Sequence, residues 1–387
     1  MTWPRWRLRK QVIRASMEPM ATPRRSPLKS CLLAASLFAA LPLHAAWPDP
    51  VDSPAEVMPR AQRSLMLDVA AIPGDRLVAV GERGHILLSD DAGTTWHQAA
   101  VPVRSTLTAV AGGNSAVIAA GHDGVILRST DRGESWQRVR EERFSADNHF
   151  SPSNGTPLLD VLFLDDDSVL AVGAYALALR SDDAGASWQP LEIDLAGKGG
   201  GDAEADDSGD GEDETDGLLF DAEDLAIDDE VDPHLNAIAR VGDALVMVGE
   251  RGSVFRSSDG GESWQRLQLS YGGSMFGILP LSGQSLLVYG LRGRAFQSDD
   301  AGDSWRELDT RVTANLFGGD VGDDGSVVLV GAEGVVLRRA AGGDAFTTGI
   351  YTNEDGETPI GSAVRLRPDG SLLLIGDRGI TTWQAQP

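Results

Sequence analysis

The chain has 387 residues, 42% of them hydrophobic, which is enough to bury a sizeable core. It carries 58 acidic and 33 basic residues, for a formal net charge of −25 at pH 7. An acidic excess of this size repels phosphates, so it argues against nucleic-acid binding and favours basic partners.

The first 45 residues have the pattern of a secretory signal peptide, so we expect an exported protein, periplasmic or envelope-associated. Eight basic residues and one acid precede or border the apolar stretch Cys31–Leu43, and small residues follow it. This stretch is shorter than the ~20 residues that span a bilayer. Its removal changes the net charge from −25 to −32 and takes away the only cysteine. The general secretory and the twin-arginine routes both stay open.

One eight-residue phrase of the form S-x-D-x-G-x-S/T-W occurs five times, at 89–96, 129–136, 181–188, 257–264 and 298–305. A second pattern, G-x-x-G before apolar residues, begins at glycines 81, 121, 249, 290, 331 and 376, with a variant at 173. Short gaps between copies are 40 or 41 residues. Repetition at a near-constant period indicates one structural unit stacked many times.

Each unit contains four short apolar runs separated by Gly, Asp and Ser turns, which predicts four strands. In the second unit the predicted strands are Leu107–Ala111, Ala116–Ala120, Gly124–Ser129 and Trp136–Arg140. About 40 residues and four strands are the size of a propeller blade, while the rungs of a β-solenoid are about half as long. We therefore predict an all-β fold, a seven-bladed β-propeller of four-stranded antiparallel blades, forming a single domain over residues 46–387.

The last unit supplies only three predicted strands, Val364–Leu366, Ser371–Ile375 and Ile380–Gln384. An open blade leaves an unpaired edge, which is an aggregation hazard. We expect an N-terminal strand to close the ring, with Glu56–Met58 in that position.

Two insertions interrupt the repeat between blades. Residues 142–157 are polar and contain His149 and Phe150. Residues 197–232 contain 16 acids and one lysine, which predicts disorder at least through Asp216. A solvated loop, a partner-binding segment and a calcium site remain open for this acidic insertion. The calcium interpretation depends on Asp206, Ser208 and Asp210, although an EF-hand loop would need Glu at the position of Gly217.

The repeated phrase is interpreted as structural, because residues needed in every copy serve the fold. Its glycine suits a tight turn, its Asp accepts backbone hydrogen bonds, and its Trp packs between sheets. These residues are Asp91, Trp96, Asp131, Trp136, Asp183, Trp188, Asp259, Trp264, Asp300 and Trp305.

The phrase is identified as the Asp-box, or bacterial neuraminidase repeat. The chain resembles the photosystem II stability/assembly factor-like family over about residues 47–387, on its G-x-x-G and S-x-D-x-G-x-S-W units. This resemblance implies a non-catalytic exported scaffold that binds protein partners and assists a membrane complex in photosynthesis. In a non-photosynthetic host the client would be an envelope transporter.

In a propeller, the G-x-x-G hairpins and the connections between blades share one face. That face should carry Arg83, Arg251, Arg292, Arg378 and His122, together with His149 and Phe150 of the insertion. We predict it as the partner-binding face of a monomer that has no nucleic-acid partner and no transmembrane segment in the mature chain.

We predict no catalytic residue, no cofactor and no metal site. A sialidase needs an arginine triad, a Tyr–Glu pair and an Arg-Ile-Pro motif, and that motif is missing. Histidines at metal-ligand spacing are also absent from the sequence. A sialidase-like or other glycoside hydrolase, or a lectin acting on extracellular glycans, is the alternative, because two facing carboxylates suffice for hydrolysis and acids are abundant.

Overall fold

A computed structural model describes residues 49–143, 155–195 and 232–384. Within these ranges the chain forms 27 β-strands in seven antiparallel sheets, connected by turns and short 3-10 segments. Two 3-10 turns precede the first strand, at Pro50–Asp52 and Ala61–Arg63. The sheets are the blades, and neighbouring strands in each blade follow one another along the chain.

Blades 1 to 4 each contain four strands. Blade 1 consists of β1 (Met66–Ile72), β2 (Arg76–Gly81), β3 (Ile86–Ser89) and β4 (His97–Gln98). Blade 2 consists of β5 (Leu107–Gly112), β6 (Val117–Gly121), β7 (Ile126–Ser129) and β8 (Gln137–Arg140). Blade 3 consists of β9 (Leu158–Phe163), β10 (Val169–Gly173), β11 (Ala178–Ser181) and β12 (Gln189–Pro190). Blade 4 consists of β13 (Leu235–Val241), β14 (Ala244–Gly249), β15 (Ser253–Ser257) and β16 (Gln265–Gln268).

Blades 5 and 6 repeat this arrangement, and blade 7 is shorter. Blade 5 consists of β17 (Met275–Pro280), β18 (Leu286–Gly290), β19 (Ala295–Ser298) and β20 (Arg306–Leu308). Blade 6 consists of β21 (Leu316–Val321), β22 (Val327–Gly331), β23 (Val335–Arg339) and β24 (Thr347–Ile350). Blade 7 consists of β25 (Gly361–Leu366), β26 (Leu372–Gly376) and β27 (Gly379–Trp383).

The second strand of each blade forms the centre of the core. In β22, all five residues are buried, and the run Val327–Val330 is aliphatic throughout. Both faces of such a strand are covered by the neighbouring blades, so it has no polar side and shows no alternation of polar and apolar residues. The outermost strands are short and largely exposed, which leaves little unpaired edge for other chains.

The seven innermost strands surround a common axis. Each one contacts the innermost strand of the next blade, and β25 contacts β1. The ring is therefore closed, and the predicted fold class, an all-β seven-bladed propeller, is confirmed.

The closing element differs from the predicted strand. Glu56–Met58 forms no strand, and blade 7 has three strands among the described residues. The Gln98 side chain, on the outer strand of blade 1, binds this segment instead: the Met58 N–H donates to it at 2.9 Å, and it donates to the Glu56 carbonyl at 2.9 Å. The segment therefore pairs with blade 1, and no strand of the described residues pairs with the outer edge of β27.

The ring is closed on this side by apolar packing. Ala61 is 4% exposed and lies in one cluster with Leu373 and Ile375 of blade 7 and with residues of blade 1. A Cβ atom at Gly379 would lie 2.1 Å from the Gln62 carbonyl oxygen, so the backbone at 61–63 lies directly on the start of β27. The predicted signal peptide at 1–45 lies outside the described residues, as does the acidic insertion apart from Asp232.

The repeated phrase forms the same turn around its Asp carboxylate in all five copies, between the third and fourth strands, and four copies add a bond from the Trp indole. In blade 2, Asp131 accepts bonds from the Ser135 N–H at 2.9 Å and from the Ser129 hydroxyl at 2.7 Å. The Trp136 indole N–H donates to the Gly133 carbonyl at 2.8 Å. In blade 5 the Trp305 indole nitrogen is buried without a hydrogen-bond partner.

Candidate functional site

A tight 3-10 turn follows the second strand in five of the blades. These turns are Glu82–Gly84, His122–Gly124, Glu250–Gly252, Leu291–Gly293 and Ala332–Gly334. In blade 7 the strands β26 and β27 are joined by the two residues Asp377 and Arg378, because Gly376 pairs with Gly379.

The middle residue of each 3-10 turn has a left-handed backbone, although none of them is glycine. Arg83 has φ 57°, Arg251 has φ 54° and Arg292 has φ 56°. Side chains other than Gly, Asn and Asp seldom adopt this conformation, which costs roughly 1–2 kcal/mol. The turn therefore holds these three side chains at its tip, away from the sheet.

The turns lie against the connections that lead from one blade to the next. A Cβ atom at Gly84 would lie 2.2 Å from the Val103 carbonyl oxygen, and one at Gly293 would lie 2.2 Å from that of Val312. Both contacted residues belong to the connection that follows the outer strand of the same blade. The tight turns and these connections thus form one face of the ring, which we call the turn face.

The predicted partner-binding residues of the described chain are exposed on the turn face. Arg83, Arg251, Arg292, Arg378 and His122 are all exposed. They belong to blades 1, 4, 5, 7 and 2, in that order. Blades 7, 1 and 2 are adjacent and so are blades 4 and 5, so the five residues form two separate groups. His149 and Phe150 lie outside the described residues.

Two of these arginines lie close to acidic side chains. The guanidinium of Arg83 lies 3.9 Å from a Glu82 carboxylate oxygen, and that of Arg378 lies 3.0 Å from one of Glu357. Exposed pairs of this kind contribute about 0–1 kcal/mol and exchange readily for other partners. The guanidinium of Arg292 makes no ion pair within the described part of the chain.

A groove of about 830 Å³ on the turn face runs along blade 5, beside Arg292. Arg294 lies over the Tyr271 ring at 5.7 Å and forms an ion pair with Glu307. Arg311 belongs to the same groove. The groove thus combines an aromatic surface with three guanidinium groups, which can bind carboxylates in a bidentate manner or stack on planar groups.

Three aspartates on the innermost strands were not singled out from the sequence. Asp68 accepts the Val110 N–H of the next blade at 2.8 Å, and Asp160 accepts the Ile238 N–H of the next blade at 2.8 Å. Asp320 connects blades 6 and 7 in the same manner. Each carboxylate therefore bridges two blades. A charged residue in an otherwise apolar first strand was the signal available in the sequence.

Burial shifts the titration of these acids. Burial raises the pKa of Asp160 to about 7; the charge of Asp68 adds to this shift and the Ile238 N–H opposes it. Burial likewise raises the pKa of Asp68 and of Asp320. The Arg365 guanidinium, 3.0 Å from a carboxylate oxygen of Asp320, opposes the shift there.

Within residues 49–143, 155–195 and 232–384, no three His, Cys, Asp or Glu side chains are placed to hold a metal ion together. In the same ranges, none of the helical segments is long and apolar enough to cross a membrane.

Solved structures of other propellers are similar to this chain. YCF48 bound to a D1 peptide has a TM-score of 0.58 and 15% identity, over 84% of this chain and 93% of that one. YCF48 from Cyanidioschyzon merolae also has a TM-score of 0.58 and 15% identity, over 85% of this chain and 97% of that one. The WD40 propeller domain of Doa1 has a TM-score of 0.57 and 10% identity, over 86% and 94%.

A fourth structure, the extracellular domain of the one-component system BT4673 from B. thetaiotaomicron, has a TM-score of 0.56 and 11% identity, over 84% of this chain and 39% of that one. At these identities the similarity concerns the fold. No family model matches the chain, and no curated protein sequence matches it.

Proposed function

We propose that this chain is an exported, non-catalytic propeller scaffold that binds a protein partner through its turn face. Following the family that the sequence resembles, it would assist the assembly or stability of a membrane complex. In a host without photosynthesis, an envelope transporter would take the place of the photosystem.

Two findings support a protein partner. The fold is shared with YCF48, which has been solved with a D1 peptide. The net charge of −25 accelerates encounter with basic proteins and disfavours nucleic acids.

The exposed arginines at the turn tips carry the proposal. The ring does not require arginine there, since other blades have Asp123 or Glu333 at the same left-handed position. On blade 5 one such tip, Arg292, lines the groove with its aromatic and guanidinium surface, and Arg251 is the exposed tip of the neighbouring blade 4. Tyr and Arg are the residue types that dominate binding energy in protein interfaces.

Partner capture tests the proposal. Protein lacking residues 1–45 is immobilised and exposed to detergent-solubilised membranes of its host, and captured proteins are quantified by mass spectrometry. The double variant Arg251→Glu/Arg292→Glu should weaken binding of the main partner about thirtyfold, because two interface arginines contribute roughly 1 kcal/mol each. Its melting temperature should not change.

Arg132→Glu/Arg306→Glu is the matched control. It makes the same change of charge on exposed residues beside the tryptophan turns, and Arg132 has the same left-handed backbone, with φ 61°. This control should capture as much partner as the unmodified protein. Equal capture by the turn-face variant would contradict the proposal.

The absence of catalysis is tested separately with sialosides and plant polysaccharides as substrates. We expect no turnover. Turnover that is lost when one turn-face carboxylate, such as Glu250 or Glu333, becomes the amide would establish the glycoside hydrolase alternative instead.

A further inference from the structure

The innermost strands enclose a channel along the ring axis, with a volume of about 200 Å³. In both β1 and β9 the pairing shifts by one residue directly before the aspartate. Asp68 then pairs with Val80, and Asp160 pairs with Val172, each of which precedes the glycine that ends the second strand. The two carboxylates therefore stand at the same level in the channel.

A tyrosine hydroxyl reaches this level from blade 5. Gly277 occupies the position in β17 that Asp68 has in β1, and it pairs with Tyr289. A Cβ atom at Gly277 would lie 2.3 Å from the Tyr289 hydroxyl oxygen, so the phenol end fills the place of a channel side chain. The other second strands have aliphatic residues there, such as Val80 and Ala120, which carry no polar group.

The Tyr289 hydroxyl lacks a partner. The residue is 4% exposed, and its hydroxyl makes no hydrogen bond to any described residue. Because Tyr289 lines the channel, its hydroxyl is available for a hydrogen bond to a group bound there. Together with Asp68 and Asp160, it points to a ligand with hydrogen-bond donors.

An apolar collar lies one residue closer to the turn face. Leu67 and Leu159 directly precede the two aspartates, and Phe276 and Phe317 line the same cavity with ring centroids 5.4 Å apart. All four are partly exposed, so the collar is open to solvent. A group that enters from the turn face meets apolar surface first and carboxylates next.

We propose that this channel binds the cationic head of a lysine or arginine side chain that a partner protein presents at the turn face. The head donates hydrogen bonds to Asp160, Asp68 and the Tyr289 hydroxyl, and the alkyl stem lies against the collar. Long basic side chains combine an apolar stem and a charged end in this order. The proposal deepens the proposed function, on which it rests, by naming the chemistry that the partner must present.

An organic cation fits this channel better than a metal ion. In the described ranges no three carboxylate, imidazole or thiol groups converge on one point, whereas hard cations need six or more oxygen ligands. Arg365 already lies beside Asp320 and weakly offsets the charge of Asp68. No basic group acts on Asp160, so that carboxylate is the main site for an incoming charge.

Binding should depend on pH. Asp68 is the charged group that acts on Asp160, and Tyr289 stays neutral. Arg365 acts on Asp68 and Asp320 instead. With a pKa of about 7, Asp160 is mostly protonated at pH 6 and mostly ionised at pH 8. A cation binds the ionised form, so the affinity should be about tenfold higher at pH 8 than at pH 6.

Binding at this site is measured by NMR, from the chemical shifts of the methyl groups of Leu67 and Leu159 in protein with labelled leucine methyl groups. The probe is Nα-acetyl-lysine methylamide, and the uncharged control is Nα-acetyl-norleucine methylamide. We expect saturable shifts with the lysine probe only. Tyr289→Phe removes the hydroxyl and breaks no hydrogen bond, so it should weaken binding about fivefold with unchanged melting. Tyr351→Phe, outside the channel, should bind as the unmodified protein does.

Asp160→Asn should abolish the pH dependence and weaken binding more than tenfold. Equal shifts with norleucine, no shift with lysine, or an unchanged affinity of Tyr289→Phe would overturn the channel proposal. These outcomes are distinguishable from failure of the proposed function. Lysine binding without partner capture rejects only the scaffold, and partner capture without lysine binding rejects only the channel.

Discussion

Two glycines have nearly the same backbone conformation but different surroundings. Substituting each of them distinguishes the cost of a steric contact from the cost of backbone strain. Gly84 has φ +71° and Gly260 has φ +76°. A Cβ atom at Gly84 would lie 2.2 Å from a backbone oxygen, whereas one at Gly260 would have nothing within 4 Å. Gly260→Ala should therefore cost only the strain, about 1 kcal/mol. Gly84→Ala should cost at least about 3 kcal/mol, because the turn must move away from its connection.

Urea unfolding of the two variants, with the unmodified protein as reference, measures this difference. A similar loss in both would mean that the turns do not press against the connections as described. The turn face would then be less rigid than partner binding requires.

At this scale the sequence predicted the exposed tips but not the residues beside them. Arg292 is recognisable because it stands inside a G-x-x-G pattern. Tyr271 and Arg294 meet only through the side-chain packing of blade 5. Tyr289 joins Asp68 only because Gly277 lacks a side chain, and closure of the ring brings these distant positions together. No local pattern contains that information.

Two valines in the N-terminal segment test whether packing there supports the ring. Val51 is 1% exposed and belongs to the cluster of blades 1 and 2, while Val57 is 78% exposed. Val51→Asp buries an unpaired charge and should lower the melting temperature by roughly 10 °C, for a cost of about 3 kcal/mol or more. Val57→Asp should leave it unchanged.

Removal of the whole segment extends this test. A chain that starts at Leu65 loses the contacts of Val51 and of Ala61 and should melt at a lower temperature than either substitution variant. Unchanged melting of that chain would show that the ring closes without the segment.

At the scale of elements, turn residues located the strands well. The predicted strand Leu107–Ala111 is observed as Leu107–Gly112, and the predicted Trp136–Arg140 as Gln137–Arg140. The position of segment 56–58 could not be predicted from turn residues: we expected it on the edge of blade 7, and it lies against blade 1. The Gln98 side chain binds this segment to blade 1. The Arg104 guanidinium donates to Glu56, and the Ala55 N–H donates to the Val101 carbonyl. No turn pattern encodes these contacts.

At the scale of the whole molecule, the number of blades followed from the repeat, because seven similar units can bury their sheets only against one another. The channel did not follow from it. Its chemistry depends on the three blades that place a polar side chain in the channel at this level, namely those with Asp68, Asp160 and Tyr289.

Two groups of aspartates make the stability of the ring depend on pH in opposite directions. In the tryptophan turns, bonds from hydroxyl and backbone groups hold the pKa of Asp91, Asp131 and Asp183 at about 2, below the usual 3.8. The folded state then binds fewer protons than the unfolded state, so stability is lost as the pH falls from about 4 to 2. Asp160 has the opposite shift, to about 7.

Between pH 4 and 7 the folded state keeps a proton on Asp160 that the unfolded state has lost, so stability falls as the pH rises through this window, by at most about 4 kcal/mol. Repulsion within a chain of charge −25 acts in the same direction. Thermal melts from pH 3 to 8 should therefore show the highest melting temperature near pH 4 to 5. Asp160→Asn should flatten the decline above pH 5, whereas Asp243→Asn, at an exposed hairpin, should keep it. A melting temperature that rises from pH 5 to 8 would mean that the channel is hydrated enough to keep Asp160 ionised, and the pH-dependent lysine binding expected there would disappear with it.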